Sequence, residues 1–318
     1  MKARIAMTVG DPRGIGPEIV TKALADPLVS ERCDVVVVGP EGAGIRVDEP
    51  VERWQPKSGP ALAGKLSGMA IERAVEMALK GAVDGIVTAP IDKMALHAGG
   101  YDFPGHTEML ASLTHSRVAM MLASDKLRVV LATTHIPLGR VIEKLSAESI
   151  IEAARITRDG LREWFGIAEP RIALCALNPH AGDGGRFGSE DTELLAPAAR
   201  SAGIEGPFPA DTVFVRAMRG EFDAVIAPYH DVGMTAIKVA SFGSAVNVTL
   251  GLPFPRTSPD HGTALDIAGQ NRADPSSMIA ATLLCASIAL RAHPSDGRPA
   301  YGGRPTETRS SSRPSRAR

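Results

Sequence analysis

Short apolar segments alternate with helical patterns along most of this chain. Eight runs rich in Val, Ile, Leu and Ala predict strands, at residues 4–9, 34–38, 85–88, 118–122, 127–133, 171–176, 224–227 and 245–249. Two of the intervening helices have clear start signals: a Ser-x-x-Ser pattern from Ser146, and Asp274 followed by Pro275. This alternation predicts an α/β protein with a mostly parallel sheet.

The composition excludes several classes of partner. With 318 residues, the chain is long enough for two domains or one large domain. Only 4% of its residues are aromatic, which argues against a stacking surface for single-stranded nucleic acid. The formal net charge of -1 attracts neither nucleic acid nor an anionic membrane. We therefore expect any anionic ligand to be bound by a local site.

Cysteine usage and hydropathy point to the cytoplasm. Cys33, Cys175 and Cys285 each lie in an apolar segment without CxxC spacing, which favours reduced, buried thiols. The N-terminus becomes glycine-rich before a signal-peptide core could form, and no apolar run reaches the ~18 residues of a membrane helix. From residue 292 to 318, six Arg and two acidic residues give +4 in a Pro-, Gly- and Ser-rich stretch, which predicts a disordered basic tail.

The first predicted strand is followed by the glycine-rich turn "GDPRGIGPEI". A turn of this kind at a helix N-terminus exposes backbone N–H groups to an anion. Its spacing is not GxGxxG, and Pro12 and Pro17 shape it differently. An anion-binding loop and a merely tight strand-to-helix turn are equally compatible with it.

Three histidines share one sequence context. His135, His180 and His230 each follow an apolar run and precede small or turn-forming residues. The ends of parallel strands open onto the crevice where α/β sheets bind ligands. Three imidazoles meeting there would form a divalent-metal site with open coordination positions. Taken singly, each of these histidines is better explained as a satisfied core or loop side chain, but the context that all three share favours function.

A second group of polar residues suits an anion. His106 and Thr107 lie at the predicted start of a helix, where free N–H groups and a hydroxyl would bind phosphate. Lys238, Asn247 and Arg256 follow His230 along the chain, and the two cations suit a phosphate or a carboxylate. Lys238 could equally be a solvated surface lysine.

Taken together, the longer motifs resemble a known family. The stretches "GDPRGIGPEI", "APIDK", "GHTEMLA", "ATTHIPL", "LNPHAGDGGRFGSED", "YHDVGMTAIK" and "VNVTLGLPFPRTSPDHGTALDIAG" are similar to the 4-hydroxythreonine-4-phosphate dehydrogenase family of vitamin B6 biosynthesis. The resemblance extends from about residue 4 to residue 290. The stretch "DHGTALDIAGQNRADPSSMI" also resembles the nucleotide-binding segment of isopropylmalate and isocitrate dehydrogenases.

The resemblance implies a fold and an assembly. It implies two α/β/α domains with a cleft between them, of the isocitrate/isopropylmalate dehydrogenase type. Residues 1–115 with 245–291 would form the cofactor-side domain, and residues 116–244 would form the second domain with the dimer interface. The protein would be a homodimer with shared active sites, in which His230 completes the site of the opposite subunit.

The resemblance also implies residue roles. The family's metal ligands match His135, His180 and His230, and its substrate-binding residues match His106, Thr107, Lys238, Asn247 and Arg256. The cofactor would lie at Gly262, Asp266 and Asp274. Because a carboxylate at Asp266 would repel a 2'-phosphate, NAD is favoured over NADP. Zinc, cobalt, nickel, magnesium or manganese could each serve as the divalent metal.

The implied reaction is oxidation and decarboxylation of a small phosphorylated 3-hydroxy acid. A metal lowers the pKa of the substrate hydroxyl while hydride passes to nicotinamide, and it then stabilises the enolate left by carbon dioxide. Asp231 and Lys238 are the candidate catalytic residues. Asp231 could move a proton, or it could orient its neighbouring histidine.

Departures from the family pattern leave the substrate open. Arg13, Asp183, Pro228 and Val232 replace common residues, and the region 41–62 is shorter than usual. The first choice is 4-hydroxythreonine 4-phosphate. Alternatives are 4-phospho-D-threonate or 4-phospho-D-erythronate, whose oxidation would give dihydroxyacetone phosphate; another branch of the family oxidises a ring cis-diol. Two different classes are a phosphate acyltransferase and a non-catalytic metal- or phosphate-binding protein.

Overall fold

A computed structural model describes residues 2–241 and 244–292 of the chain. The strands are β1 Ala3–Thr8, β2 Cys33–Glu41, β3 Glu49–Arg53, β4 Gly85–Thr88, β5 Ala119–Ala123, β6 Arg128–Leu131, β7 Ile172–Cys175, β8 Glu205–Phe208, β9 Ala224–Ala227, β10 Val246–Leu250 and β11 Arg256–Pro259. The α-helices are α1 Gly16–Leu24, α2 Pro27–Arg32, α3 Gly59–Leu79, α4 Lys93–Ala98, α5 His106–Thr114, α6 Val141–Lys144, α7 Ala147–Glu163, α8 Ala196–Ala202, α9 Ala210–Met218, α10 His230–Ser241 and α11 Ser276–Ala292. Short 3-10 segments cover Leu138–Arg140 and Pro179–Gly185, and a π-helical turn covers Asp191–Leu195. The predicted basic tail lies outside the described residues, apart from Ala292, which ends α11.

The strands form one continuous sheet in the order β3-β2-β1-β4-β11-β10-β5-β6-β9-β7-β8. Most neighbours are parallel, and the antiparallel pairs are β11–β10, β10–β5 and β5–β6 in the middle of the sheet. The six strands before β5 in this order come from residues 2–115 and 245–291, and the other five come from residues 116–244. The α/β class with a mostly parallel sheet is confirmed, and the division into two domains stays a prediction.

Eight of these strands correspond to the apolar runs that predicted them, and β4 and β9 match to the residue. Three further strands, β3, β8 and β11, gave no such signal. Their sequences, EPVER, EGPF and RTSP, combine proline with charged or polar residues. In β11 the polar residues are nevertheless buried, because β4 and β10 cover both edges of the strand.

The predicted helix starts are confirmed. Ser146 and Ser149 each accept from the other's backbone N–H through their hydroxyls, which forms a capping box at the start of α7. Before α11, the Asp274 carboxylate accepts hydrogen bonds from the backbone N–H of Ser276 at 2.9 Å and from its hydroxyl at 2.5 Å. Side chains therefore satisfy N–H groups at both helix starts.

Helices cover both faces of the sheet. One large apolar cluster joins β1, β4 and β10 to helices that include α1, α3, α7 and α11. A smaller cluster on the other face packs α9 and α10 against β5, β6, β7 and β9. Cys33, Cys175 and Cys285 are buried as free thiols, in agreement with the prediction. Within the described ranges, no helix has the length and apolar character that crossing a bilayer requires.

The glycine-rich turn after β1 packs tightly against its neighbours. A Cβ atom at Gly16 would lie 2.1 Å from the Val9 carbonyl oxygen, and one at Gly14 would lie 2.7 Å from the Thr263 carbonyl oxygen. That Thr263 oxygen accepts a hydrogen bond from the backbone N–H of Ile15 at 2.9 Å. Close packing therefore accounts for both glycines, as the tight-turn alternative expected.

Candidate active site

A cavity of about 230 Å³ lies where the sheet changes from parallel to antiparallel pairing. Residues of the adjacent strands β4, β11, β10 and β5 line it, together with the start of α5. Six predicted site residues belong to its wall: His106, Thr107, His135, Asn247, Arg256 and Gly262. The fold thus brings most of the predicted substrate-binding residues to one place.

Arg256 is the most unusual residue of this cavity. Only 1% of its surface is exposed, and no carboxylate pairs with it within the described part of the chain. Its guanidinium donates to the Thr249 hydroxyl at 2.9 Å and to the Thr88 hydroxyl at 2.5 Å, while Nε has no partner among the described residues. Burial lowers the pKa of Arg256 to about 10. A buried cation of this kind is stabilised when an anion enters the cavity.

His106 and Thr107 form the first turn of α5, as predicted. Gly105 precedes this helix and has no side chain, so no cap from Gly105 covers the helix's first N–H groups. The His106 Nε2 atom is buried without a partner among the described residues. Burial, followed by the charges of Arg256 and Lys93, holds the pKa of His106 well below 6.5, so its ring is neutral. The helix start therefore offers N–H groups and a neutral imidazole to an anion.

Asn247 lines the cavity, whereas Lys238 lies outside its wall. Asn247 projects from β10, and its Oδ1 atom is buried without a hydrogen-bond partner in residues 2–241 and 244–292. The Lys238 ammonium lies 3.6 Å from Asp260 Oδ2, and its side chain is 49% exposed. Asp260 itself lines the cavity. Lys238 therefore stands beside the cavity, beyond Asp260, instead of forming its wall.

Two of the three predicted metal ligands meet in the structure. The ring centroids of His135 and His230 lie 5.5 Å apart. The His230 Nδ1 atom lies 2.6 Å from Asp231 Oδ1, which leaves Nε2 available to a metal. Limited hydration and the Lys93 ammonium lower the pKa of His135, which favours the neutral ring that a metal requires. His230 thus lies beside His135 of its own chain. This differs from the expectation that His230 completes the site of the partner subunit.

His180 occupies a separate loop. It begins a run of left-handed residues, with φ of 53° at His180 and 54° at Ala181, and its ring faces Phe187 at 6.4 Å. Within the described residues of one chain, no three His, Cys, Asp or Glu side chains are close enough to hold a metal ion. The chemistry of the His135–His230 pair fits two ligands of a nitrogen site, and a metal bound there would need a third ligand from elsewhere.

The predicted cofactor residues lie on the loop between β11 and α11. Gly262 lines the first cavity. Asp266 is exposed, and Asp274 caps α11. Residues 268, 269 and 271 of the same loop line a second cavity of about 440 Å³, together with the turn after β1, helix α1 and residues 43–44. The loop therefore contributes to two cavities.

The structure adds wall residues that sequence reasoning missed: Thr88, Lys93, Glu108, Asp260 and His261. Lys93 and Glu108 belong to the quoted motifs "APIDK" and "GHTEMLA", and Asp260 and His261 belong to the quoted stretch "SPDHGTALDIAG", so motif membership was the available signal for four of the five. Arg13, where the family usually has a small residue, pairs with Asp11 at 2.6 Å and with Asp92 at 2.9 Å. It thereby ties the turn after β1 to the start of α4.

Comparison with known proteins agrees with this geometry. The family model described as "Pyridoxal phosphate biosynthetic protein PdxA" matches residues 22–285. The chain belongs to this family. The suspected resemblance is confirmed, and the matched segment contains every predicted site residue.

Named members of the PdxA family are similar over nearly the whole chain. A 4-hydroxythreonine-4-phosphate dehydrogenase of Desulforapulum autotrophicum is 44% identical, over 89% of this chain and 94% of that protein. A D-threonate 4-phosphate dehydrogenase of Salmonella typhimurium is 41% identical, over 90% of this chain and 98% of that protein. Both names agree with the predicted dehydrogenase class.

Solved structures support the fold. The crystal structure of 4-hydroxythreonine-4-phosphate dehydrogenase from Klebsiella pneumoniae has a TM-score of 0.80 and 40% identity, over 91% of this chain and 98% of that one. A β-decarboxylating dehydrogenase from Thermococcus kodakarensis, 16% identical with a TM-score of 0.51, shares the fold alone. The predicted fold class is therefore confirmed.

Proposed function

We propose that this protein is an NAD-dependent dehydrogenase that oxidises and decarboxylates a phosphorylated 3-hydroxy acid. The first candidate substrate is 4-hydroxythreonine 4-phosphate. The observation that carries the proposal is the buried guanidinium of Arg256, which pairs with no carboxylate among the described residues. It lies in a cavity that His106 and Asn247 also line. Three polar atoms, on Arg256, His106 and Asn247, are buried there without partners among the described residues. A phosphate group would accept from Arg256 Nε and, in the tautomer protonated at Nε2, from His106, whereas the Asn247 Oδ1 acceptor would take a hydroxyl or ammonium donor of the substrate.

A divalent metal and NAD are part of the proposal. His135 and His230 would hold the metal, with His180 as the third ligand, supplied by the partner subunit of a homodimer. When bound, the metal acidifies the substrate hydroxyl and stabilises the negative charge left by carbon dioxide, while NAD accepts the hydride. The loop around Gly262 and Asp266 would bind the cofactor beside the substrate cavity.

The chain's own residues would orient the substrate. Arg256 and the start of α5 bind its phosphate, and the buried position of Arg256 keeps water away from that contact. His135 lines the same cavity and so lies beside the part of the substrate that reacts. Asp231 holds the His230 ring through Nδ1 and orients it toward the metal, which the 2.6 Å contact favours over a separate proton shuttle.

The metal arrangement predicts an obligatory assembly. His180 is not close to the His135–His230 pair in one chain, so a monomer would lack the third ligand. Elemental analysis of a monomeric interface variant would then show loss of both metal and activity. A monomer that kept stoichiometric metal would overturn the shared site and leave the dehydrogenase proposal standing.

D-threonate 4-phosphate is the second candidate substrate. Relatives of that name are 41% and 43% identical to this chain, close to the 44% of the first 4-hydroxythreonine-4-phosphate dehydrogenase. The test is a side-by-side assay of NADH formation with both acids and 4-phospho-D-erythronate, in the presence of added divalent metal. We expect kcat/KM to be highest for 4-hydroxythreonine 4-phosphate and to fall steeply for its unphosphorylated form.

The assay also distinguishes a dehydrogenase from the two other classes of protein considered, an acyltransferase and a non-catalytic binding protein. A phosphate acyltransferase would form no NADH and would not depend on metal, and a binding protein would turn over none of the acids. If none of the three acids yields NADH with metal present, the proposed function is wrong.

A further inference from the structure

Lys93 is a cavity-lining cation for which neither the family match nor the motifs supply a role. It is the first residue of α4, and its side chain contributes to the cavity wall. Among the described residues, its ammonium makes no ion pair within 4.0 Å and no hydrogen bond. The other lysine, arginine, aspartate and glutamate residues on the cavity wall are Arg256, Glu108 and Asp260. An exposed lysine without a structural partner has its charge available to a ligand.

The position of Lys93 is not explained by helix stability. A cation at the first residue of a helix faces the positive end of the helix dipole, which disfavours it. The start of α4 is held instead by Asp92, whose carboxylate accepts from the backbone N–H groups of Met94 and Ala95 at 2.9 and 3.2 Å. The guanidinium of Arg13 in turn donates a hydrogen bond to the Asp92 carboxylate at 2.9 Å. The helix start is therefore secured without the Lys93 side chain.

The side chain of Lys93 also lies close to the start of α5. Its Cε atom lies 3.5 Å from the position that a Cβ atom would take at Gly105, the residue before α5. Glu108 Oε2 lies 3.6 Å from the same position, so one carboxylate shares this region with the ammonium. Gly105 leaves the space open, and the first residues of α5 line the same cavity as Lys93 and Arg256.

The charge of a phosphate ester exceeds what Arg256 supplies. A phosphate monoester carries about -1.5 to -2 at neutral pH. The His106 ring is neutral, and Lys238 is already beside Asp260 at 3.6 Å. One guanidinium thus leaves a second negative charge without a cation, and Lys93 is the remaining lysine on the cavity wall.

We infer that Lys93 is a second phosphate-binding cation of this site and that it selects dianionic phosphate monoesters over monoanionic esters of the same shape. The inference rests on the proposed function, since it assumes that the substrate's phosphate lies between Arg256 and the start of α5. Glu108 limits the attraction of the site for any anion, so the ammonium of Lys93 is needed to favour the dianion.

The test compares two probes of equal shape and different charge, methyl phosphate and methyl sulfate, by calorimetric titration of the full-length protein at pH 8. We expect Lys93→Met to weaken methyl phosphate binding about 10-fold and to leave methyl sulfate binding within about 2-fold. Lys93→Arg should restore most of the preference, because it returns the charge. Lys80→Met is the matched control, since Lys80 is an exposed lysine that pairs with Glu76 at the end of α3.

The outcomes separate this inference from the function on which it rests. If Arg256→Met loses methyl phosphate binding and Lys93→Met binds both probes like the wild type, the inference is overturned and the proposed function stands. An equal loss for both probes in Lys93→Met overturns the selection for the dianion. If the wild-type protein binds neither probe and forms no NADH, both proposals fail together. Lys93→Gln provides a second neutral variant should Lys93→Met fail to fold.

Discussion

Replacing Arg256 by methionine should leave the stability of the free protein nearly unchanged and reduce the extra stability that it gains from bound phosphate. The side chain is 1% exposed, and burial lowers its pKa from the usual arginine value to about 10. At 1.36 kcal/mol per pKa unit, this shift corresponds to about 3 kcal/mol of lost stability at neutral pH. The penalty is present below about pH 10 and is relieved as the pH rises above that value, because the unfolded arginine then binds more protons than the folded one.

Methionine fills a similar volume without a charge. The substitution removes that penalty but leaves the hydroxyls of Thr88 and Thr249 without their donor, at a cost of about 1 kcal/mol each. We therefore expect the free Arg256→Met protein to be as stable as the wild type, or up to about 1 kcal/mol more stable. An ordinary buried ion-pair arginine would instead cost about 3–5 kcal/mol when removed.

The increase in the free energy of unfolding that phosphate produces should be smaller in the variant than in the wild type. At a phosphate concentration 100 times its Kd, the wild type should gain about 2.7 kcal/mol. Loss of a charged contact of about 2 kcal/mol weakens binding roughly 30-fold, so the gain of the variant falls to about 1 kcal/mol. The assay is urea denaturation with and without inorganic phosphate, together with kcat/KM for the phosphorylated acid, which should fall by at least the same factor of about 30.

Arg128→Met is the matched control. Arg128 is also desolvated, and it lies 4.9 Å above the Phe165 ring, outside the cavity that contains Arg256. Its replacement should alter stability and leave the phosphate response unchanged. The reasoning is refuted if Arg256→Met destabilises the free protein by about 3 kcal/mol or more and retains the full phosphate response.

Two further substitutions test other parts of the structure. Asp231→Asn should lower metal affinity about 10- to 100-fold, because the His230 ring loses its charged partner; metal titration of the purified protein would show it, and an unchanged affinity would exclude the orienting role. Gly64→Ala should cost about 3 kcal/mol or more in urea unfolding, because its Cβ would lie 1.7 Å from the Ala95 carbonyl oxygen. Gly139→Ala, which meets nothing within 4 Å, should stay within about 0.5 kcal/mol of the wild type, and equal effects of the two would contradict the packing argument.

Much of the fold was readable from local patterns, because strands with apolar runs and helices with side-chain caps depend on neighbours in sequence. The capping residues Ser146 and Asp274 illustrate this, since each bonds to groups within three residues. The strand β11 illustrates the limit. Its sequence RTSP has no strand signal, and it is a buried strand only because β4 and β10 bind its two edges.

The candidate site was readable in part. Family motifs predicted a phosphate-binding group and three metal-binding histidines, and the fold brings His106, Asn247 and Arg256 to one cavity. Neither motifs nor spacing indicated that Lys93 lies beside the start of α5, or that His180 lies apart from the other two histidines. Such contacts join residues that are far apart in the chain, and no local rule specifies them.

The amino-acid sequence by itself determined the class of fold, the helix starts and the family to which the residue motifs belong. Tertiary structure decided the electrostatic state of the site: which cations are left without carboxylates among the described residues, which imidazoles are neutral, and which of them meet. The physical reason is range. Backbone propensity and capping act over a few residues, whereas desolvation and charge pairing depend on every segment that the fold packs around a group, and Arg256 acquires its character from Thr88 and Thr249 on other strands.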